Sequence, residues 1–191
     1  MPHHFDIRIE RQGTNSLKWD YYQRVLGADD VLPMWVADMD FACPPAVTEA
    51  LVRRAQHPVY GYPGRPDALY EAVADWYAER YGVTVDTGWL GTLPGVVPGL
   101  HIAVEAFTEP GDSVLIQTPV YHPFYHAVES LGRRLVPNPL REENGRYTID
   151  WDGLRQILDE SRPKLFLLCS PHNPVGRVWT REELVRLGEM C

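Results

Sequence analysis

From Pro44 onward the apolar positions of the chain change spacing in a regular way. Pro44-Pro45 opens a helix, since proline is tolerated in a first turn, and Val47, Ala50, Leu51 and Arg54 follow at helical spacing. His57 to Gly64 is a turn-rich loop containing Tyr60-Gly61-Tyr62. A second helix carries Leu69, Val73, Trp76 and Tyr77 on one face, with Gly82 just past its end. Trp89 to Leu93 is expected as a short strand, leading to a helix with Leu100, Ala103, Val104 and Phe107 inward. After the turn Glu109-Pro110-Gly111-Asp112, the run Ser113 to Gln117 has the unbroken apolar character of a buried strand. A helix is expected over Tyr121 to Leu131 and a strand over Arg134 to Val136. Asp150 caps a helix carrying Leu154, Ile157 and Leu158, and Lys164 to Cys169 is the clearest buried strand. Thr180-Arg181-Glu182-Glu183 forms a capping box before a last helix with Leu184 and Leu187.

Alternation of strands and helices implies an α/β layer fold with a mainly parallel sheet. The first 43 residues carry no such period. Val31 to Phe41 is apolar but broken by acids and a proline, which predicts an extended arm. The expected division is therefore an arm over residues 1–43 and a sheet-bearing part over 44–191. The final helix meets Cys191 without a stop signal, so the sheet is expected to be incomplete.

Composition narrows the partners. The 191 residues carry 26 acidic and 18 basic side chains, a formal charge of -8, with no basic cluster of the kind that binds a nucleic-acid backbone. No apolar run approaches the roughly 20 residues of a membrane span, and Met1 to Gln12 lacks a signal-peptide core. Three scattered cysteines (Cys43, Cys169 and Cys191) argue against a disulfide framework and for reduced thiols in the cytoplasm. Lysine occurs only at positions 18 and 164.

Three short motifs bear the chemistry. Leu93-Pro94-Gly95-Val96-Val97 ends in glycine at a helix start, where free N–H groups and the helix dipole favour an anion. Thr118-Pro119-Val120-Tyr121 puts an aromatic ring after a strand, where it stacks on a flat ligand or simply fills a core. Ser170-Pro171-His172-Asn173-Pro174-Val175-Gly176 presents an amide from a stiff turn, because a residue before proline is held extended. His122 and His126 stand four apart, a spacing that can hold a metal, but no third ligand accompanies them and no metal site is expected.

In this order, the motifs resemble those of the fold-type I pyridoxal-phosphate (PLP) enzymes. Within them they resemble the cystathionine β-lyase (cysteine C–S lyase) branch of the class I/II aminotransferase superfamily. The Ser-Pro-x-Asn-Pro-x-Gly pattern carries the wider likeness; Ala37-Asp38-Met39-Asp40-Phe41, within Met34 to Phe41, and the trailing Val178-Trp179-Thr180 carry the branch. The resemblance implies the N-terminal part of a PLP-binding large domain. It implies that Gly95, Val96 and Val97 hold the cofactor phosphate, Tyr121 stacks on the pyridine ring and Asn173 bonds its O3′. It also implies that Tyr62 reaches the phosphate of a neighbouring subunit in a homodimer. Trp35, Val36, Ala37 and Asp38, with Asn173, would lie by the amino-acid substrate.

Three family features have no match. The aspartate that pairs with the pyridine nitrogen, the Schiff-base lysine and the carboxylate-binding arginine would all lie beyond Cys191. Neither Lys18 nor Lys164 has the setting of a desolvated catalytic amine. The expectation is half of a PLP-dependent lyase acting on cystathionine or cysteine S-conjugates, inactive as this chain alone. An aminotransferase and a non-catalytic binding fragment are the alternatives. A dinucleotide-binding domain lacks its Gly-x-Gly-x-x-Gly, and a hydrolase its Gly-x-Ser-x-Gly.

Overall fold

A computed structural model describes residues 5–191, so positions 1–4 of the expected arm lie outside the described residues. The chain forms two compact units, Met1–Ala72 and Val73–Cys191.

In the first unit, α1 (Leu17–Asp20) and α2 (Tyr22–Leu26) are short, and α3 (Pro45–Gln56) begins at the proline pair as expected. Val31 to Phe41 contains no helix or strand. What orders this segment is polar. Arg11 meets Asp38 at 2.6 Å and Asp40 at 2.9 Å, while the Lys18 ammonium bonds Asp40 at 2.6 Å and the Asp38 carbonyl at 3.0 Å. Trp19 Nε1 donates to Asp40 at 2.7 Å. The hydrogen bond from Lys18 holds the Asp40 carboxyl below its ordinary value, with the Trp19 bond adding to it.

Helix α4 (Asp67–Tyr81) ends at Gly82, whose φ of +65° is the left-handed stop that glycine adopts without strain. Its apolar stripe stays largely exposed. Trp76 is covered by the Arg80 guanidinium at 4.8 Å, and Tyr77 stacks against Tyr81. The strand expected at Trp89 to Leu93 does not form. Asp86 instead accepts from the Gly88 amide and closes a single 3-10 turn, Thr87–Trp89, and the following residues find no strand partner.

The second unit holds the core. Helix α5 (Val96–Phe107) precedes β1 (Ser113–Thr118), α6 (Pro123–Glu129) and β2 (Arg134–Pro139). A hairpin of β3 (Arg141–Glu143) and β4 (Arg146–Thr148) then leads to α7 (Trp151–Ser161), β5 (Leu165–Leu167) and α8 (Arg181–Met190). β1 lies between β2 and β5, parallel to both, with Leu115 opposite Val136 and Phe166. Successive β1 residues serve opposite faces. Val114 and Ile116 join Val104, Phe124, Ala127 and Val128 beneath α5 and α6. Leu115 joins Leu154, Trp179 and Leu187 beneath α7 and α8. The expected α/β layers are thus present, with a helical layer on each side.

Local details follow the side chains. Asp150 caps α7 through the Gly153 amide at 3.2 Å, and Thr180 and Glu183 form the expected capping box. Three further expectations are corrected. The buried strand expected over Lys164 to Cys169 is confined to Leu165–Leu167, an edge strand paired among the described residues only with β1, and Lys164 and Leu168 are exposed. Phe107 is exposed, because Leu100, Ala103 and Val104 already fill the face of α5 that meets the sheet. The helix expected from Tyr121 to Leu131 is shorter: it starts at Pro123 and gives way at Ser130, before Gly132 takes a φ of +70°. The β3–β4 hairpin was not anticipated; it turns on Asn144-Gly145, both with positive φ, the pair that suits a two-residue hairpin turn.

Candidate functional site at the carboxyl edge of the sheet

The chain passes from β1 through α6 to β2 on one side, then through α7 to β5 on the other side of β1. The loops leaving β1 and β5 therefore diverge at a topological switch point, where open parallel sheets form a crevice at their carboxyl edge. Tyr121 follows β1 and Asn173 follows β5. The Tyr121 amide donates to the Asn173 carbonyl at 2.9 Å, which joins the two loops across that point. Two of the sequence-predicted residues are thereby brought together by the backbone.

Their side chains remain available. Tyr121 is 40% exposed, and its ring touches His122 edge-on at 4.8 Å. The Asn173 side chain is exposed and hydrogen-bonds to nothing among the described residues. The peptide bonds Thr118–Pro119, Ser170–Pro171 and Asn173–Pro174 are cis.

Gly95 stands at the N-cap of α5 and offers no side-chain cap, so the first-turn amides are left for another acceptor. Val96 is almost wholly exposed, at 82%. A Cβ built on Gly95 would lie 3.6 Å from Pro98 Cδ, an ordinary contact. Helix α5 packs on α6, where His101 Nε2 meets His126 Nδ1 at 3.2 Å and His101 Nδ1 reaches the Val97 carbonyl at 3.0 Å. His126 is thus engaged by another histidine. Among the described residues no cluster of three or more metal-binding side chains forms.

Beneath Asn173 lies a group that the sequence reasoning did not single out. His172 is 1% exposed, and its Nε2 sits 3.0 Å from the Pro119 carbonyl. The turn closes with His172 N–H to the Arg177 carbonyl at 2.7 Å and Gly176 N–H to the His172 carbonyl at 2.8 Å. Trp179 lies edge-on to the imidazole at 5.5 Å and donates to the Cys169 carbonyl at 2.9 Å. Arg177 lies over Trp179 at 4.8 Å and contacts both Glu183 oxygens at 2.6 Å. Burial pushes the His172 imidazole below its ordinary value, against a smaller opposing pull from the Pro119 carbonyl. A histidine between Pro and Asn carries no sequence signal for burial, which is why position 172 passed unnoticed.

The remaining predicted residues, Trp35, Val36, Ala37, Asp38 and Tyr62, belong to the first unit. Asp38 is committed to Arg11, and its amide closes a tight turn onto the Val36 carbonyl at 2.8 Å. Tyr62 is fully exposed. Lys164, the lysine of the same unit, lies at the end of the sheet opposite the Tyr121–Asn173 pair. Lys18 is buried against Asp40 in the first unit, and Lys164 donates its amide to the Ser113 carbonyl at the amino end of β1.

The residues of this unit fit a planar, phosphate-bearing group: uncapped amides at the start of α5, a partly exposed aromatic ring and an unpaired amide side chain. Solved structures of the same architecture carry one. Cystalysin from Treponema denticola, which contains a pyridoxal 5'-phosphate cofactor, matches with a TM-score of 0.90 and 39% identity over 100% of this chain and 49% of its own. The PLP-bound C-S lyase from Staphylococcus hominis matches with a TM-score of 0.90 and 36% identity, over 100% of this chain and 48% of its own. Cystathionine beta-lyase PatB of Bacillus subtilis (strain 168) is 50% identical over 187 residues, 98% of this chain and 48% of that protein. Residues 29–191 match the family described as Aminotransferase class I and II, and the chain belongs to that PLP-dependent family. It spans about half the length of the curated relatives it matches.

Proposed function

We propose that this chain is the N-terminal half of a PLP-dependent carbon–sulfur β-lyase that acts on cystathionine or related cysteine S-conjugates. The observation that carries the reading is the Tyr121–Asn173 backbone bond at the switch point. It sets a partly exposed aromatic ring beside a free carboxamide, in the unit that also carries the uncapped start of α5. When bound, PLP supplies an electron sink for the negative charge that develops at the substrate Cα.

The chain's own residues bind and orient. The amides of Gly95, Val96 and Val97 receive the phosphate, where the dipole of α5 adds to their hydrogen bonds. Tyr121 holds the ring by stacking, and the Asn173 carboxamide donates to O3′, favouring its ionised form. Trp35, Val36, Ala37 and Asp38 supply backbone groups for the substrate carboxylate, and Asn173 also serves the substrate. Tyr62, free and fully exposed, is suited to the phosphate of a second copy, which makes the working form a homodimer. Residues 1–43 serve as an arm and 44–191 as part of the cofactor domain, in a cytoplasmic protein.

Neither lysine is set up as the amine that the reaction needs. Lys18 is locked in an ion pair, and Lys164 precedes β5 at the end of the sheet opposite Asn173. The 191-residue chain alone is therefore inactive. The test is pyruvate release from L-cystathionine by the protein at the length of its relatives. Pyruvate without a keto-acid acceptor supports the lyase; turnover only with an acceptor makes it an aminotransferase and overturns the lyase reading.

A further inference from the structure

His172 adjoins Asn173 in sequence, yet it is buried where Asn173 is exposed. A carbonyl oxygen only accepts, so the 3.0 Å approach of Nε2 to the Pro119 carbonyl requires the proton on Nε2. Nδ1 is then the bare nitrogen, and it is buried with no partner. A proton there would be a buried donor with nothing to receive it, and orphaned buried N–H groups are rarer than under-satisfied acceptors.

The bond crosses between the same two loops as the Tyr121–Asn173 bond. Pro119 lies two residues before Tyr121, and His172 one residue before Asn173. The pair forms a two-rung link: side chain to backbone at one rung, backbone to backbone at the other, at 3.0 Å and 2.9 Å. Behind it, Trp179 supports the imidazole, and Arg177 and Glu183 fix Trp179 to the start of α8. Among the described residues no other side-chain hydrogen bond ties the 170–177 turn to the 118–121 loop.

We propose that His172 is a positioning residue: a neutral ring, protonated on Nε2, that locks the 118–121 loop to the 170–177 turn and so holds Tyr121 in register with Asn173. The inference deepens the cofactor reading of this edge, and only its consequence for PLP binding rests on that reading. The link itself is protein geometry.

A phenyl ring would keep the edge contact with Trp179 but lose the donor, whereas a glutamine keeps a donor at the position of Nε2. The experiment compares His172→Phe and His172→Gln by amide hydrogen exchange in the protein without added cofactor. The Tyr121 amide is read against the β1 amides of Leu115 and Ile116 as internal references. The expected result is about a tenfold loss of Tyr121 protection relative to β1 in His172→Phe, the worth of about one hydrogen bond, with His172→Gln close to the parent. PLP titration should follow the same order. Equal relative protection in parent and His172→Phe, or a fall that only tracks β1, would overturn the proposal. Should neither variant fold, imidazole nitrogen shifts of the parent protein decide it. A protonated Nε2 with a bare Nδ1 supports the lock, and a protonated Nδ1 refutes it. An unchanged PLP affinity in Asn173→Ala would sink the cofactor reading while leaving the exchange result intact.

Discussion

The two units are held together by different physics. Val73–Cys191 buries two apolar clusters on either face of a parallel sheet, with Leu115, Ile116 and Leu154 wholly removed from water. In Met1–Ala72 the buried positions among the described residues are Lys18 and Pro33, and the ordering contacts run through Arg11, Lys18, Asp38 and Asp40. Ion pairs whose carboxylates remain partly in water contribute little each, whereas buried apolar side chains contribute roughly 1.5–3 kcal/mol apiece. The sheet unit therefore has the means to hold its own shape. The arm segment has a defined local geometry but little apolar burial to enforce it. A site needing sub-ångström precision belongs on the first kind of scaffold, and the Tyr121–Asn173 pair is built there.

The sharpest break in the comparison is a core truncation. Leu115→Ala should destabilise the sheet unit by about 2–5 kcal/mol, whereas Leu32→Ala in the arm should change stability by less than about 0.5 kcal/mol. Denaturant titration of both variants measures the gap; equal effects would mean that the units are not so differently built. Next in size come the helix caps. Gly153→Ala places a Cβ 2.6 Å from Asp150 Oδ2 and should displace that cap, costing about 1 kcal/mol, and Thr180→Ala should cost a similar amount. Thermal melts would register either.

Acid should separate the units by pH. For His172 the folded value lies below the ordinary 6.5, so the unfolded chain takes up its proton first. Stability of the sheet unit should thus be full above pH 6.5 and decline as pH falls below it, until the folded state also protonates. Asp40 behaves oppositely in range. Its folded value lies below the ordinary 3.8, so its contribution is present above that pH and is lost as pH falls through the lower folded value. Unit-resolved hydrogen exchange from pH 7 to 3 should show the sheet loosening first near pH 6 and the arm only under strong acid. The smallest effect is expected from Arg11→Ala. It should raise proteolytic cleavage between residues 31 and 43 while leaving the midpoint of the sheet unit unchanged.

The same contrast explains what was legible in the sequence. Ser113 to Gln117 stood out because a strand buried on both faces is largely apolar, whereas Lys164 to Cys169, apolar as well, forms a strand only at Leu165–Leu167, where it pairs with β1 along one edge. Asp150, Thr180-Glu183 and Gly82 marked helix ends through local hydrogen bonds and backbone geometry, which short sequence windows contain. Trp89 to Leu93 misled, since apolar residues signal a strand only where a neighbour offers hydrogen bonds, and Asp86 captured that backbone first. The ordered motifs pointed to Gly95, Tyr121 and Asn173, but the joining of Tyr121 to Asn173 depends on strand order, which no local window reveals. His172 and the Arg11–Lys18–Asp38–Asp40 cluster were hidden for the same reason: each is made by residues far apart in the chain.

The central claim is that the carboxyl edge of this sheet receives PLP, with its phosphate at the start of α5. The most direct measurement follows backbone amide resonances while PLP is titrated into the protein. Saturable shifts of Gly95, Val96 and Val97, reversed by competing inorganic phosphate and accompanied by shifts at Tyr121 and Asn173, are the predicted result. Binding of PLP that leaves those three amides unmoved would contradict the account.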